Sequence, residues 1–252
     1  MIDSDALEHI ARTEQTNVFP NIVREYAQHI FLTELYRLPL SERLLFKGGT
    51  ALRIVYGCPR FSEDLDFSLF PVPNTETQQF VETLFVDVLA EMERVGIHIE
   101  IGKSAPTSGG YFGIATLNVS GYPPITIEIN VSSRTRTDER GEVDSITNNF
   151  VPTYTLYHLP QQELVEEKIF GALRERKKPR DYYDLYFLMR KNMLSADQKH
   201  RLAIVAQEII GEARRVDFRG ELGAFLPASQ QAIVRDFTQT LEREMQNQLS
   251  IT

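Results

Sequence analysis

Asp64 and Asp66 stand two residues apart in the run Glu63-Asp64-Leu65-Asp66-Phe67-Ser68-Leu69, and this spacing is the first sign of chemistry in the chain. From Asp64 onward a polar residue alternates with Leu65, Phe67 and Leu69, which is the period of a half-buried strand. Such a strand sends the three apolar residues into a core and projects Asp64, Asp66 and Ser68 from its other face. Two adjacent carboxylates repel each other, and a divalent cation such as Mg2+ or Mn2+, which takes hard oxygen ligands, relieves that repulsion. Just upstream, Gly48-Gly49 interrupts the apolar run Leu44, Leu45 and Phe46. Thr50 then stands where it can cap a helix carrying Ala51, Leu52, Ile54 and Val55. Glycines let a backbone come close to a phosphate, and the free N–H groups and dipole of a helix start attract anions. Either feature alone has a plain structural reading, a turn in one case and a solvated strand face in the other. Their order and closeness within Leu44–Leu69 point to a nucleotide and metal site, with Lys47 and Arg60 as further candidates for phosphate contact.

The rest of the chain supplies the elements that must position these groups. Two helices are expected in the first forty residues, the second over Pro20 to Arg37, packing on a sheet and carrying no chemistry. After the acidic strand, PVPNTETQ reads as a loop and Gln78–Val95 as a helix stopped by Gly96. Strands follow at Ile97–Ile101, at Tyr111–Val119 after a Gly109-Gly110 turn, and at Ile125–Val131. In the last of these Glu128 shares a face with Thr126 and Asn130, away from the isoleucines. An acid in so apolar a strand is costly unless solvated, paired or bound to metal. Ser132–Asn149 is polar and reads as a long loop, a mobile flap included, or as the seam between two parts of the molecule, and in it Arg134 and Arg136 are either solvated or within reach of a triphosphate.

From Leu159 the pattern is helical. Lys168 lies on or beside the apolar stripe of Leu164, Val165, Ile169, Phe170 and Leu173, and its amine either snorkels to Glu163 or Glu167 or serves a site. The run Arg174–Arg180 (RERKKPR) is the densest positive cluster in the chain. It suits a solvated helix end, where cations complement the dipole, or a phosphate or RNA contact. A helix over Arg180–Lys191 carries Asp181 and Asp184 near its start. Helices over Asp197–Ala213 and Ala228–Leu249, joined by VDFRGELGAFLP, bear no motif.

With 252 residues and 42% hydrophobic content, the chain can build a sizeable core in one large or two modest domains. A net charge of -8 argues against indiscriminate coating of nucleic acid, although a local basic patch still permits RNA binding. The single cysteine, Cys58, excludes an internal disulfide and five scattered histidines show no zinc spacing, so reducing cytoplasm is the natural compartment. The N-terminus lacks an apolar signal region, and no stretch approaches a membrane span.

The sequence GGT followed by RFSEDLDF resembles the signature of polymerase-beta-like nucleotidyltransferases, and specifically of the AbiEii/AbiGii toxin family. Glu128 in ITIEINV and the run EEKIFGALRERKKPRDYYDLYFL extend the likeness over most of Leu44 to Leu188. The resemblance implies an α+β fold, with a nucleotidyltransferase core on a small mixed sheet over residues 1–150 and a helical bundle over 151–252, the catalytic cleft lying between them. It implies metal-dependent transfer of a nucleoside monophosphate from an NTP to a hydroxyl, with Asp64, Asp66 and Glu128 as the metal and catalytic acids and Gly48, Gly49 and Thr50 as the phosphate cradle. Lys168 would neutralise triphosphate charge and Asp181 would position nucleotide or acceptor. The implied role is a toxin of a toxin-antitoxin or phage-defence system acting on tRNA, with a cognate antitoxin as partner. A small-molecule acceptor of aminoglycoside type and a nonenzymatic binding module on the same fold are the alternatives.

Overall fold

The computed structural model describes residues 2–70, 76–107, 110–133 and 141–249. The chain divides into two units, Met1–Gly57 with Phe61–Leu159, and Cys58–Arg60 with Pro160–Thr252. The division between these units falls after Leu159, and three residues between the glycine turn and the acids belong to the helical unit.

The first unit opens with helices α1 (Ser4–Thr13) and α2 (Val23–Leu35), followed by β1 (Leu44–Lys47), α3 (Gly48–Ile54) and β2 (Leu65–Leu69). It continues through α4 (Thr77–Arg94), β3 (His98–Thr107), β4 (Gly110–Asn118), β5 (Ile125–Ser132), β6 (Glu142–Ile146) and β7 (Tyr154–His158). The strands form one mixed sheet in the order β3-β4-β5-β2-β1-β7-β6. β1 runs antiparallel to β2, while β2–β5 and β1–β7 are parallel. The central position of β1 and β2 explains their burial: Leu44, Leu45, Phe46, Leu65 and Phe67 are all buried, and so is Ser68, which alternation had placed at the surface. On α4 the buried residues Val81, Leu84, Phe85, Val88 and Met92 follow the helical stripe, and Phe85 packs edge-on to Phe31 and Tyr111.

α2 is buried almost all round rather than along one stripe, and its polar side chains are paired. Glu25 meets Arg53, His29 Nδ1 lies 2.9 Å from the Tyr154 hydroxyl, and the Thr33 hydroxyl donates to the His29 carbonyl at 2.7 Å. The expected loop Ser132–Asn149 contains strand β6, paired antiparallel with β7. Arg134, Arg136, Gly109 and the start of the PVPNTETQ loop lie outside the described residues.

The second unit holds α5 (Gln161–Glu166), which runs through a π-helical stretch, Glu167–Leu173, into α6 (Arg174–Arg176). Then come α7 (Pro179–Arg190), α8 (Ala196–Ala213), α9 (Phe218–Phe225), a 3-10 stretch (Ala228–Asp236) and α10 (Phe237–Leu249). Thus VDFRGELGAFLP contains a helix, and the segment from Ala228 becomes α-helical only at Phe237. Phe237 centres an aromatic cluster, stacked on Tyr183 and 4.7 Å from the Phe218 ring. Among the described residues no helix is long and apolar enough to cross a membrane.

Candidate active site

The turn after β1 is built around Gly48, whose φ of +79° lies in the left-handed region that side chains rarely adopt. A Cβ at this position would also overlap the Asp66 carboxylate, so glycine is required both by the turn and by the close approach of Asp66. Across the β1–β2 ladder Lys47 faces Asp66, and the parallel ladder to β5 sets Asn130 beside Asp66. The Asn130 side-chain amide donates to an Asp66 carboxylate oxygen at 3.3 Å. Two residues earlier on the same face of β5, Glu128 is exposed, so it carries no burial penalty. Asp64 sits immediately before β2 rather than within it, and both aspartates are half-buried.

Asp64 is held by its backbone. The buried Thr50 hydroxyl donates to the Asp64 carbonyl at 2.5 Å. Thr50 is therefore not the helix cap; Lys47 occupies that place and Thr50 lies inside α3. The Gln28 amide on α2, 2% exposed, donates to the carbonyls of both Ser62 and Glu63 at 3.1 Å. Arg24, one turn earlier, pairs with Glu63 at 3.3 Å. Burial lowers the Arg24 pKa, while Glu63 and Asp64 oppose that shift. α3 is anchored by Arg53, which donates to Glu25 at 2.7 Å and stacks its guanidinium over the Phe61 ring at 3.8 Å. α2, expected only to cover the sheet, thus fixes the segment that carries the acids.

Asp66 on β2, Asp64 just before it and Glu128 on the adjoining strand β5 lie in one region of the sheet but do not close into a ready-made ligand cluster. Among the described residues no three His, Cys, Asp or Glu side chains are grouped tightly enough to hold a metal ion. Two carboxylates still match the hard-oxygen preference of Mg2+, which usually completes its shell with water and substrate phosphate.

The remaining candidates lie in the helical unit and have partners there. Arg60, 2% exposed, directs Nε and Nη2 to Asp184 at 2.9 and 2.7 Å. Lys168, 8% exposed, donates from Nζ to the other Asp184 oxygen at 2.8 Å, so its partner is neither Glu163 nor Glu167. Burial opposes the Asp184 charge, but the Arg60 and Lys168 cations outweigh it and hold the carboxyl below its usual range. Asp184, whose partners sequence spacing does not reveal, is the hub of a buried triad, and its carboxylate takes up the Arg60 fork that was expected to meet phosphate. Asp181 is also buried, accepting from the Lys178 backbone N–H at 3.1 Å at the start of α7 and from Arg176 at 2.7 Å. The positive cluster is largely neutralised: Arg174 pairs with Glu208, Lys177 with Glu212 and Arg180 with Glu221.

The fold has relatives of known structure. A putative nucleotidyltransferase from Helicobacter pylori superposes with a TM-score of 0.56 at 19% identity, covering 91% of this chain and 97% of that one. JHP933, also from Helicobacter pylori, gives 0.60 at 19% identity, with 99% and 94% covered. The nucleotidyltransferase toxin MenT4 from Mycobacterium tuberculosis gives 0.60 at 18% identity, with 99% and 98% covered. At these identities the likeness establishes the fold. A sequence search of curated proteins found no match. The sequence pattern of the family described as nucleotidyl transferase AbiEii toxin, type IV TA system, matches residues 30–249. That span takes in the glycine turn, the paired aspartates, the Glu128 strand and nearly all of the helical unit, and the chain belongs to the AbiEii family of nucleotidyltransferase toxins.

Proposed function

We propose that the chain transfers a nucleoside monophosphate from an NTP to a hydroxyl of an RNA acceptor, tRNA being the first to test, with pyrophosphate as leaving group. The observation that carries this reading is the approach of the Gly48 backbone to the Asp66 carboxylate, which brings a phosphate-tolerant turn and a metal-ligand candidate to one point. Asp64 and Asp66 supply carboxylates to a divalent cation, and Glu128, exposed on the same sheet, completes the acidic set or accepts the proton of the attacking hydroxyl. A bound cation would stabilise charge developing on the transferring phosphate.

The amides of Gly48 and Gly49 serve the phosphates directly. α3 has only seven residues, so its dipole adds little to what the individual N–H groups provide. Thr50 and Asn130 hold the aspartates and Gln28 the two residues before them, and the Arg60–Asp184–Lys168 triad organises the helical unit rather than meeting the nucleotide. The family's two-component systems make a cognate antitoxin the natural protein partner.

The test is incubation with each labelled NTP and bulk tRNA in the presence of Mg2+, Mn2+ or EDTA, for the parent and for Asp66→Ala. Label should enter RNA only with metal, and the variant, still folded, should lose several kcal/mol of transition-state stabilisation, roughly 100-fold or more in rate. Full transfer in EDTA or by Asp66→Ala would overturn the reading.

A further inference from the structure

In the helical unit Arg174, Arg176, Arg180, Arg190, Arg201 and Arg214 each pair with a carboxylate. Arg219 and Arg235 behave differently. Both are exposed, and among the described residues neither side chain has an ion pair or hydrogen bond. Arg219 stands in the first turn of α9 and Arg235 in the last turn of the 3-10 stretch Ala228–Asp236, two elements tied together by Gln231, whose amide donates to the carbonyls of Gly223 and Leu226.

The two arginines flank a hollow of about 890 Å³ whose other lining residues are Ala228, Gln231, Ala232 and Val234. They also border a smaller hollow of about 240 Å³ that includes Asp217 and Asp236. No acid among the described residues borders the larger one. Among the described residues Arg215 and Arg243 have no ion pair either, but they line neither hollow.

We propose that the larger hollow, between α9 and the Ala228–Asp236 stretch, is a subsite for the phosphodiester backbone of the RNA acceptor, with Arg219 and Arg235 as its phosphate contacts. The proposal rests on the reading of an RNA acceptor given above. Its size suits a nucleotide-scale group. Two guanidinium forks without carboxylate partners offer the planar donor pairs that bind phosphate oxygens bidentately. A folded protein partner is the poorer fit, because the walls present two alanines and the edge of a buried valine where a protein interface would need an aromatic or large aliphatic anchor. The Arg174–Arg180 run is less suited, because most of its cations already face carboxylates of their own unit.

The experiment measures binding of fluorescently labelled bulk tRNA to the full chain between about 50 and 200 mM salt. It compares the parent with Arg219→Glu/Arg235→Glu, with Arg219→Ala/Arg235→Ala should charge reversal impair folding, and with Arg219→Lys/Arg235→Lys. The reversed variant should bind at least tenfold more weakly, and loss of two phosphate contacts should flatten the slope of log affinity against log salt by about 1.5. The lysine variant should recover part of the affinity, and NTP binding should be unchanged. A folded Glu or Ala variant that binds tRNA like the parent, with the same slope, overturns the subsite while transfer to tRNA by the parent keeps the acceptor reading. If the parent binds no tRNA at any salt, both fall. If poly-glutamate binds the parent more tightly than tRNA and the variants lose that binding, the hollow serves an acidic polypeptide and the proposal is overturned.

Discussion

At the scale of single residues, the glycine turn and the strand that carries Asp66 were legible because local spacing encodes them, whereas the side chains that brace the candidate acids were not. Asn130 reaches Asp66 across 64 positions of sequence, and Arg60 reaches Asp184 across 124. No periodicity encodes such pairings. Gly48 allows a sharp test of the site because Gly57 provides a matched control. Both have left-handed φ, +79° and +72°, but a Cβ at Gly48 overlaps Asp66 while one at Gly57 meets nothing within 4 Å. Gly48→Ala and Gly57→Ala should each cost roughly 1–3 kcal/mol in backbone strain. Only Gly48→Ala should also displace the Asp66 carboxylate, cutting transfer tenfold or more per folded molecule. Parallel melting and NTP-transfer measurements separate the two effects, and equal activity in the two variants would show that the close approach to Asp66 has no part in catalysis.

At the scale of elements, the helices with an apolar stripe and the strands with strict alternation were readable, and the departures have identifiable causes. β6 exposes Glu142, Val143, Asp144 and Ser145, an edge strand whose pairing comes from β7 and whose sequence carries no alternation. α9 was hidden by Gly220 and Gly223, which lower helix propensity within its eight residues. α2 was visible as a helix but not as the support of the acidic segment, because Gln28 and Arg24 gain that role only where the Ser62–Asp64 segment meets them. In the helical unit, α5 with its π-helical extension and α7 are joined by Lys168 and Asp184, and the charge count sets the order of stabilities. Removing Lys168 leaves the neutral, bidentate Arg60–Asp184 pair; removing the Asp184 charge leaves two buried cations facing each other. Asp184→Asn should therefore cost about 3–5 kcal/mol, a fall in Tm of roughly 6–20 °C, and Lys168→Ala clearly less. Thermal melts of the two variants check the order, and the reverse ranking would mean that the triad is hydrated rather than sealed.

For the whole molecule, stability must be read over both units and across pH, and His29 sets the sign on the acid side. Burial, and secondarily the positive charge of Arg53, push its pKa down from 6.5 to about 3. The groups facing it are the Tyr154 hydroxyl, 2.9 Å from Nδ1, and the ring of Phe150, neither of which carries a negative charge to offset the burial of an imidazolium. In the unfolded chain the same imidazole takes up a proton below about pH 6.5, while the folded protein refuses it until about pH 3. Between these limits the unfolded state binds more protons, so stability is full above pH 6.5 and falls as pH drops through the window. Asp184, whose pKa is lowered by its cations against the effect of burial, adds a further loss only at the bottom of the range. Glu25 acts in the opposite sense, since burial raises its pKa and the folded state then takes up a proton more readily than the unfolded chain. The net expectation is a Tm that is flat from pH 8 to about 6.5 and declines toward pH 4, with His29 the main contributor above pH 5. His29→Gln keeps a polar group opposite Tyr154 but cannot take up a proton, so it should lower Tm at pH 7.5 by a few degrees and flatten the decline between pH 6.5 and 5. Calorimetric scans of both proteins across that range decide it: parallel curves would mean that His29 titrates alike in the folded and unfolded chain, and that the acid loss is carried by carboxylates alone.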